Sequence, residues 1–394
     1  MIRALAAAAV VAFVPAGEPG VTAKTILIGG TVPLTGPESA YAPVARGAQA
    51  YFDYVNARGG VYGRKIVYKV DDDGYDPART VQATRELVEQ DHVLAIFNSV
   101  GTEHNLAVRG YLNQMKVPQL FVGSGATVIA REHARMPWTM GFLPSFAGEG
   151  AIYGRTLAAT RPKARYAVLY EDSDFGKDML NGFKRGLGRH ARNVVGRQTY
   201  EVTDADVASQ ISQLKASKAD TLVLFALPKQ TIQGFLTANK LGWHPHVVVT
   251  SVSIDPFVMN IVRESAGKRQ TEGTISTAFL HDPTNPAQAR SRGVKLYRQI
   301  MHRYLPSGDP KAVAHLYGMA AAYTMVDALE HAGRNPTRAS LLRAAQHLNE
   351  INPFLLAGVR IRTSPRNYFP IARTHLVRYQ GTGWRLVGKL LPVR

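Results

Sequence analysis

The sequence predicts an α/β protein built as two doubly wound lobes. Three observations lead there. From Lys24 onward, apolar runs of strand length alternate with stretches of helical spacing, which implies a parallel sheet with helices on both faces. The order of elements in residues 25–124 returns in residues 165–252, with little residue identity between the two, so the repetition is one of architecture. The chain has 394 residues, 45% of them hydrophobic, enough for more than one core.

The elements follow in order. "KTILIGGTV" is an apolar strand, and "YAPVARGAQAYFDYVNARGG" is a helix stopped by Gly59 and Gly60. "RKIVYKVDDD" alternates as a strand. Asp76 is placed to cap the next helix and Pro77 suits its first position. "HVLAIFNS" is a buried strand, "EHNLAVRGYLNQMK" a helix and "VPQLFVGS" a strand. The second round begins at "RYAVLYEDSDFGKDMLNGFKRGLGRH", a strand, loop and helix. It continues through strand "NVVGRQTYEV", a helix capped by Asp204 or Asp206, strand "ADTLVLFAL", helix "PKQTIQGFLTANKLGW" and strand "PHVVVTSVS". The tail predicts helices at 286–305, 311–332 and 337–348, then three meander strands, "AGVRIRT", "ARTHLVRYQ" and "GWRLVGKL". A chain that crosses back would use these helices to complete the first lobe and these strands to complete the second.

The N-terminus reads as a secretory signal peptide: a basic start at Arg3, an Ala- and Val-rich block, then "VTA" as a small-residue cleavage site at Ala23. Ala16 is the competing site. No later stretch is long and apolar enough to span a bilayer, so the mature chain is expected not to be membrane-embedded. The chain has no cysteine, which removes disulfides, thiolate nucleophiles and the acylated cysteine of a lipoprotein. A periplasm is the expected compartment. The formal charge of +18 is spread along the chain without a long basic run or an aromatic-interleaved RNA motif, so no nucleic-acid partner is expected.

The motifs point to binding rather than catalysis. The polar loop after the first strand lacks the Lys of a phosphate-binding Walker loop and the glycine spacing of a dinucleotide loop. It lies instead at the carboxyl end of a strand, where open α/β sheets bind ligands, with Tyr41 behind it. "DDDGYDP" would need an acid at Gln82 to be a calcium loop, so it is a turn and a helix cap. "NSVGTEHN" and "VGSGAT" are small polar loops that end neighbouring strands, able to converge on one carboxylate with hydroxyl and N–H donors. There is no nucleophile elbow, no zinc-protease helix and no metal-ligand spacing among the twelve histidines. Neither a cofactor nor a metal is expected, and an enzyme is not.

The blocks "GGTVPLTGPESAYAPVARGAQAYFDYVNARGGVYGRKI", "DDDGYDPARTVQATRELVEQDHVLAIFNSVGT", "VPQLFVGSGAT" and "YEDSDFGKDMLNGF" together resemble the type I periplasmic solute-binding proteins of ABC importers, and within them the branched-chain amino acid (Leu/Ile/Val) binding family. The resemblance implies two Rossmann-like lobes joined by three crossings. The implied division is a signal peptide at 1–23, a first lobe of 24–143 plus 281–350, and a second of 144–280 plus 351–394. It also implies a small-molecule ligand in the cleft and permease subunits as partners. The ligand-binding residues it implies are Tyr41, Gly101, Thr102, Ser124, Gly125, Ala126, Phe175, Leu227, Ser251 and Tyr317, with the loops at 101–102 and 124–126 on the ligand's carboxylate and Phe175 as an aromatic wall. One departure matters. The family usually carries an acid just after the strand matching "VVVTSVS"; here Thr250-Ser251-Val252-Ser253 has none before Asp255. A buried ammonium without a partner costs several kcal/mol. The expected ligand is therefore an aromatic or aliphatic carboxylate, or a branched-chain amino acid if Asp255 or Glu171 reaches in. A ligand-sensing receptor or regulator on the same fold is the alternative, and a hydrolase a further one.

Overall fold

A computed structural model describes residues 17–393; the basic start, the apolar block and Ala16 of the expected leader lie outside the described residues. The first round comprises β1 (Thr25–Val32), α1 (Ala42–Asn56), β2 (Lys65–Asp72), α2 (Pro77–Glu89), β3 (Ile96–Phe97), α3 (Thr102–Gln114), β4 (Gln119–Val122), α4 (Thr127–Arg131) and β5 (Thr139–Gly141). The second comprises α5 (Phe146–Thr160), β6 (Tyr166–Glu171), α6 (Asp174–Leu187), β7 (Val194–Tyr200), α7 (Ala208–Ala216), β8 (Thr221–Phe225), α8 (Pro228–Lys240), β9 (His246–Val249), α9 (Pro256–Ala266), α10 (Lys268–Thr271) and β10 (Ile275–Ala278). The tail supplies α11 (Arg292–Tyr304), α12 (Val313–Ala332), α13 (Arg338–Ala345), β11 (Asn349–Glu350), β12 (Ile361–Arg362), β13 (Arg373–Gln380) and β14 (Gly383–Pro392).

Two separate sheets result, one per lobe. The first has the order β2-β1-β3-β4-β5, all parallel. The second has the order β14-β13-β10-β9-β8-β6-β7; it is parallel from β7 to β10, and β13 and β14 add an antiparallel edge. Central strands such as β4 and β8 are buried at every residue, as a sheet covered on both faces requires. Asp76 caps α2 as expected, its carboxylate accepting from the Ala78 N–H at 2.8 Å. Neither Asp204 nor Asp206 is the N-cap of α7, which is Val207, but Asp206 one residue earlier accepts from Ala208 N–H at 2.8 Å.

The tail crosses back. α11 and α12 pack on α1 of the first lobe, and α13 packs on α12. β13 and β14 join the second sheet, but "AGVRIRT" does not. β12 pairs with β11 in a two-stranded ribbon of its own. That ribbon is fastened to α12, because Asn352 Nδ2 donates to Ala320 O at 2.8 Å and Thr324 donates to the Glu350 carboxylate. Tyr368 Oη then donates to Pro137 O at 2.8 Å, so the first-lobe contacts continue past the expected boundary at 350. The chain passes between the sheets after β5, after β10 and just before β13. Among the described residues no helix is long and apolar enough to cross a membrane.

Candidate functional site

The carboxyl ends of both sheets face one another across a cavity of about 110 Å³. Helix starts surround it: Thr102 opens α3, Phe175 lies in the first turn of α6, Pro228 opens α8, and Val313 and Ala314 open α12. The walls are mostly apolar, with Phe146, Phe257 and Phe279 adding rings. Phe146 and Phe175 meet edge to face at 4.8 Å between centroids.

Four hydrogen bonds close the lobes over this space. Tyr41 Oη donates to Val252 O at 3.2 Å, and Ala314 N–H donates to Asp255 Oδ2 at 3.1 Å. At the rim, Asp174 N–H donates to Glu103 Oε1 at 2.8 Å and Thr127 N–H to Asp178 Oδ2 at 2.6 Å. Each bond joins a group of the first lobe to a group of the second.

Of the residues expected at the ligand, Tyr41, Gly101, Thr102, Phe175, Leu227, Ser251 and Tyr317 line the cavity. Gly101 has φ +108, and a Cβ there would meet His104 Nδ1 at 2.3 Å, so the tight entry to α3 requires glycine. α3 has no side-chain cap at its start, which leaves its first turn open to an anion. Ser124, Gly125 and Ala126 are not on the wall. Ser124 is fully buried behind Thr102, 2.8 Å between hydroxyl oxygens, and accepts from Ala126 N–H at 3.1 Å. Gly125 lies against the first crossing: a Cβ would meet Pro144 O at 2.1 Å, and its own carbonyl accepts from Phe146 N–H. Ser124 N–H donates to Val122 O and Ala126 N–H to Ser124, so these donors stay within the loop, and Ser124 supports Thr102 from behind; Gly123 lines the wall instead.

The acids divide by role. Ser251 donates its N–H and its hydroxyl to Glu149, each at 2.7 Å, and Tyr153 Oη donates to the same carboxylate at 2.6 Å. Burial pushes the Glu149 carboxyl up despite these bonds. Asp255 lines the cavity, yet Oδ1 caps α9 through Phe257 N–H at 3.2 Å and Oδ2 holds α12. Burial raises it to about 6. Glu171 also lines the cavity; it accepts from Tyr200 Oη at 3.2 Å, and burial lifts it to about 7. Glu171 is therefore the wall carboxylate least committed to the fold. Among the described residues no cluster of three or more His, Asp or Glu side chains could hold a metal ion. Tyr75, Phe146, Phe257 and Phe279 were not anticipated from the sequence; the available signal was an aromatic residue placed just beyond a strand end or at a helix start.

Comparison with known proteins fits this geometry. A family model described as periplasmic binding protein matches residues 25–382. The chain is 23% identical over 365 residues to Leu/Ile/Val-binding protein homolog 1 of Brucella suis, covering 90% of this chain and 89% of that one. It is 25% identical over 232 residues to homolog 7 of Brucella abortus, of which the match spans 58%. In fold it is similar to a branched-chain amino acid ABC transporter protein from Thermus thermophilus with bound valine, at TM-score 0.81 and 18% identity, covering 94% of this chain and 96% of the other. A fatty acid ABC transporter substrate-binding protein from Thermomonospora curvata is similar at TM-score 0.77 and 22% identity, covering 96% and 95%. At these identities the two structures speak to the fold alone.

Proposed function

From the premise that this chain belongs to the periplasmic binding protein family, we propose that it is an extracytoplasmic solute-binding protein that closes its lobes on a small organic ligand and presents it, unchanged, to the permease of an ABC importer. The observation that carries this reading is the apolar cavity at the facing strand ends, bridged by hydrogen bonds from lobe to lobe. Ligand that touches both walls favours the closed form by its differential affinity for it.

The ligand we favour has an aromatic or aliphatic body and one carboxylate. Thr102 and the uncapped first turn of α3 suit the carboxylate, and the rings around Phe175 suit the body. A branched-chain amino acid is the second reading, supported by Glu171, whose carboxylate meets the hydroxyls of Tyr200 and Ser173, whereas Asp255 holds the starts of two helices. A thermal-shift screen that pairs each branched-chain amino acid with its deaminated acid decides between them. Stabilisation by the acids is expected, because only the native state binds them. Stabilisation by the amino acids alone would move the assignment to the second reading, and conversion of any ligand during incubation would overturn binding without turnover.

We place signal cleavage after Ala16 rather than Ala23. Residues beyond Ala16 belong to the first lobe: Gly20 O accepts from Leu27 N–H at 2.7 Å, and Glu18 Oε1 accepts from Arg338 N–H at 2.6 Å. Mass spectrometry of the exported protein is expected to find Gly17 at the N-terminus; a chain starting at Lys24 would refute the placement.

A further inference from the structure

Behind Phe279 and Leu280 lies a second, smaller chamber of about 50 Å³. It shares Ser251, Ile254, Phe279, Leu280 and Val313 with the main cavity, so one side-chain layer separates the two. Its near wall is apolar, but its floor carries Asp282. Asp282 Oδ1 is satisfied, accepting from Thr284 N–H at 2.8 Å and Thr284 Oγ1 at 2.6 Å. Oδ2 is buried and has no hydrogen-bond partner, on a side chain only 9% exposed. Gln288, beside it, is already engaged: its Oε1 accepts from Asp282 N–H at 3.0 Å and lies 2.8 Å from His281 Nδ1. A buried acceptor left open at the end of an apolar chamber is a standing desolvation penalty, relieved only when a donor arrives.

We propose that the two chambers form one site for an elongated ligand, whose tail passes the shared side chains of Ile254 and Phe279 and ends in a hydroxyl or ammonium that donates to Asp282 Oδ2. The inference rests on the carboxylate reading above and extends it: the head lies at Thr102, the apolar body fills both chambers, and the far end carries a donor. Each added methylene removed from water strengthens binding, and a donor that meets the open Asp282 oxygen removes the penalty of leaving it unpaired.

The test is calorimetric titration of the exported protein with isovalerate, octanoate, ω-hydroxyoctanoate and ω-aminooctanoate. Octanoate is expected to bind more tightly than isovalerate, and at least one of the two donor-tipped acids about tenfold more tightly than octanoate; which of the two gains identifies the terminus. Asp282→Asn keeps a carbonyl for Thr284 and turns an amide N–H₂ toward the chamber, so it is expected to remove the gain of ω-aminooctanoate. Ala278→Leu, which fills the second chamber, is expected to bring octanoate to the affinity of isovalerate. Isovalerate binding with no gain for any longer probe would overturn the inference and leave the proposed function standing. If none of the four binds, the carboxylate reading falls and the inference with it.

Discussion

Glu38 stands between exposed Pro37 and Ser39, yet its own side chain is fully buried, with the Gln230 amide beside its carboxyl but no well-formed hydrogen bond to either oxygen. What buries it is the other lobe, since Glu171, Lys229 and Gln230 are its neighbours. Burial, reinforced by Glu171 and only partly offset by Lys229 and the Gln230 amide, lifts Glu38 from 4.5 to about 8. Glu171 itself faces Ser173, Tyr200, Glu103 and Glu201. Opening the cleft returns Glu38 to water and to its ordinary range. Between those limits the closed form holds a proton that the open form has lost, so closure weakens as pH rises and levels off above about 8. Ligand affinity is therefore expected to fall from about pH 5 to about pH 8, by at most about tenfold per unit for each proton. Titrations across that range check it, and Glu38→Gln is expected to flatten the upper part; an equal slope in the variant would remove Glu38 from the linkage. Thr102 makes a second test at this scale. Thr102→Val keeps the shape of the wall and removes the hydroxyl that pairs with Ser124 at the start of α3. Affinity for a carboxylate is expected to drop about tenfold, with a smaller loss for the matching primary amide.

Asp255 is where two elements depend on one side chain. Its carboxylate starts α9 and, from across the cleft, α12. Asp255→Ala removes both bonds, and about 1–2 kcal/mol of stability is expected to go with the cap. Ligand affinity is expected to fall as well, because one of the bonds spans the lobes; denaturant unfolding and calorimetry on the same protein separate the two effects. Elements were the most legible level of this sequence. Strand and helix periods are local properties, and buried parallel strands such as "TLVLF" declare themselves by apolar content alone. β12 misled because a short alternating strand reads the same in a ribbon as in a meander; Glu350 and Asn352, which bind α12, decide its place. Ser124 lies off the cavity wall for a similar reason. A hydroxyl at a strand end serves a ligand or a neighbouring hydroxyl according to the loop's path, and the path here puts Thr102 in front. Glu38 was illegible because no local pattern records an interface formed only when distant segments meet.

At the scale of the whole molecule, the proposed function is an equilibrium between open and closed forms, and the four bridging bonds favour the closed one. Three of them run from backbone N–H groups to the carboxylates of Asp178, Glu103 and Asp255, so deleting one also removes an ionisable group. Tyr41 offers a cleaner handle. Its Oη reaches Val252 O while its ring lines the cavity, so Tyr41→Phe keeps the apolar wall and removes only the latch. A single hydrogen bond of this kind contributes about 0.5–1.5 kcal/mol. If the closed form is the binding-competent one, apparent affinity scales with its population, and the variant is expected to bind about two- to tenfold more weakly. Solution scattering supplies the independent readout. Without ligand the variant is expected to have a larger radius of gyration than the wild type, and saturating ligand is expected to bring both to the same compact value. A loss of affinity with identical scattering in both states would mean that Tyr41 Oη acts on the ligand itself and not on closure.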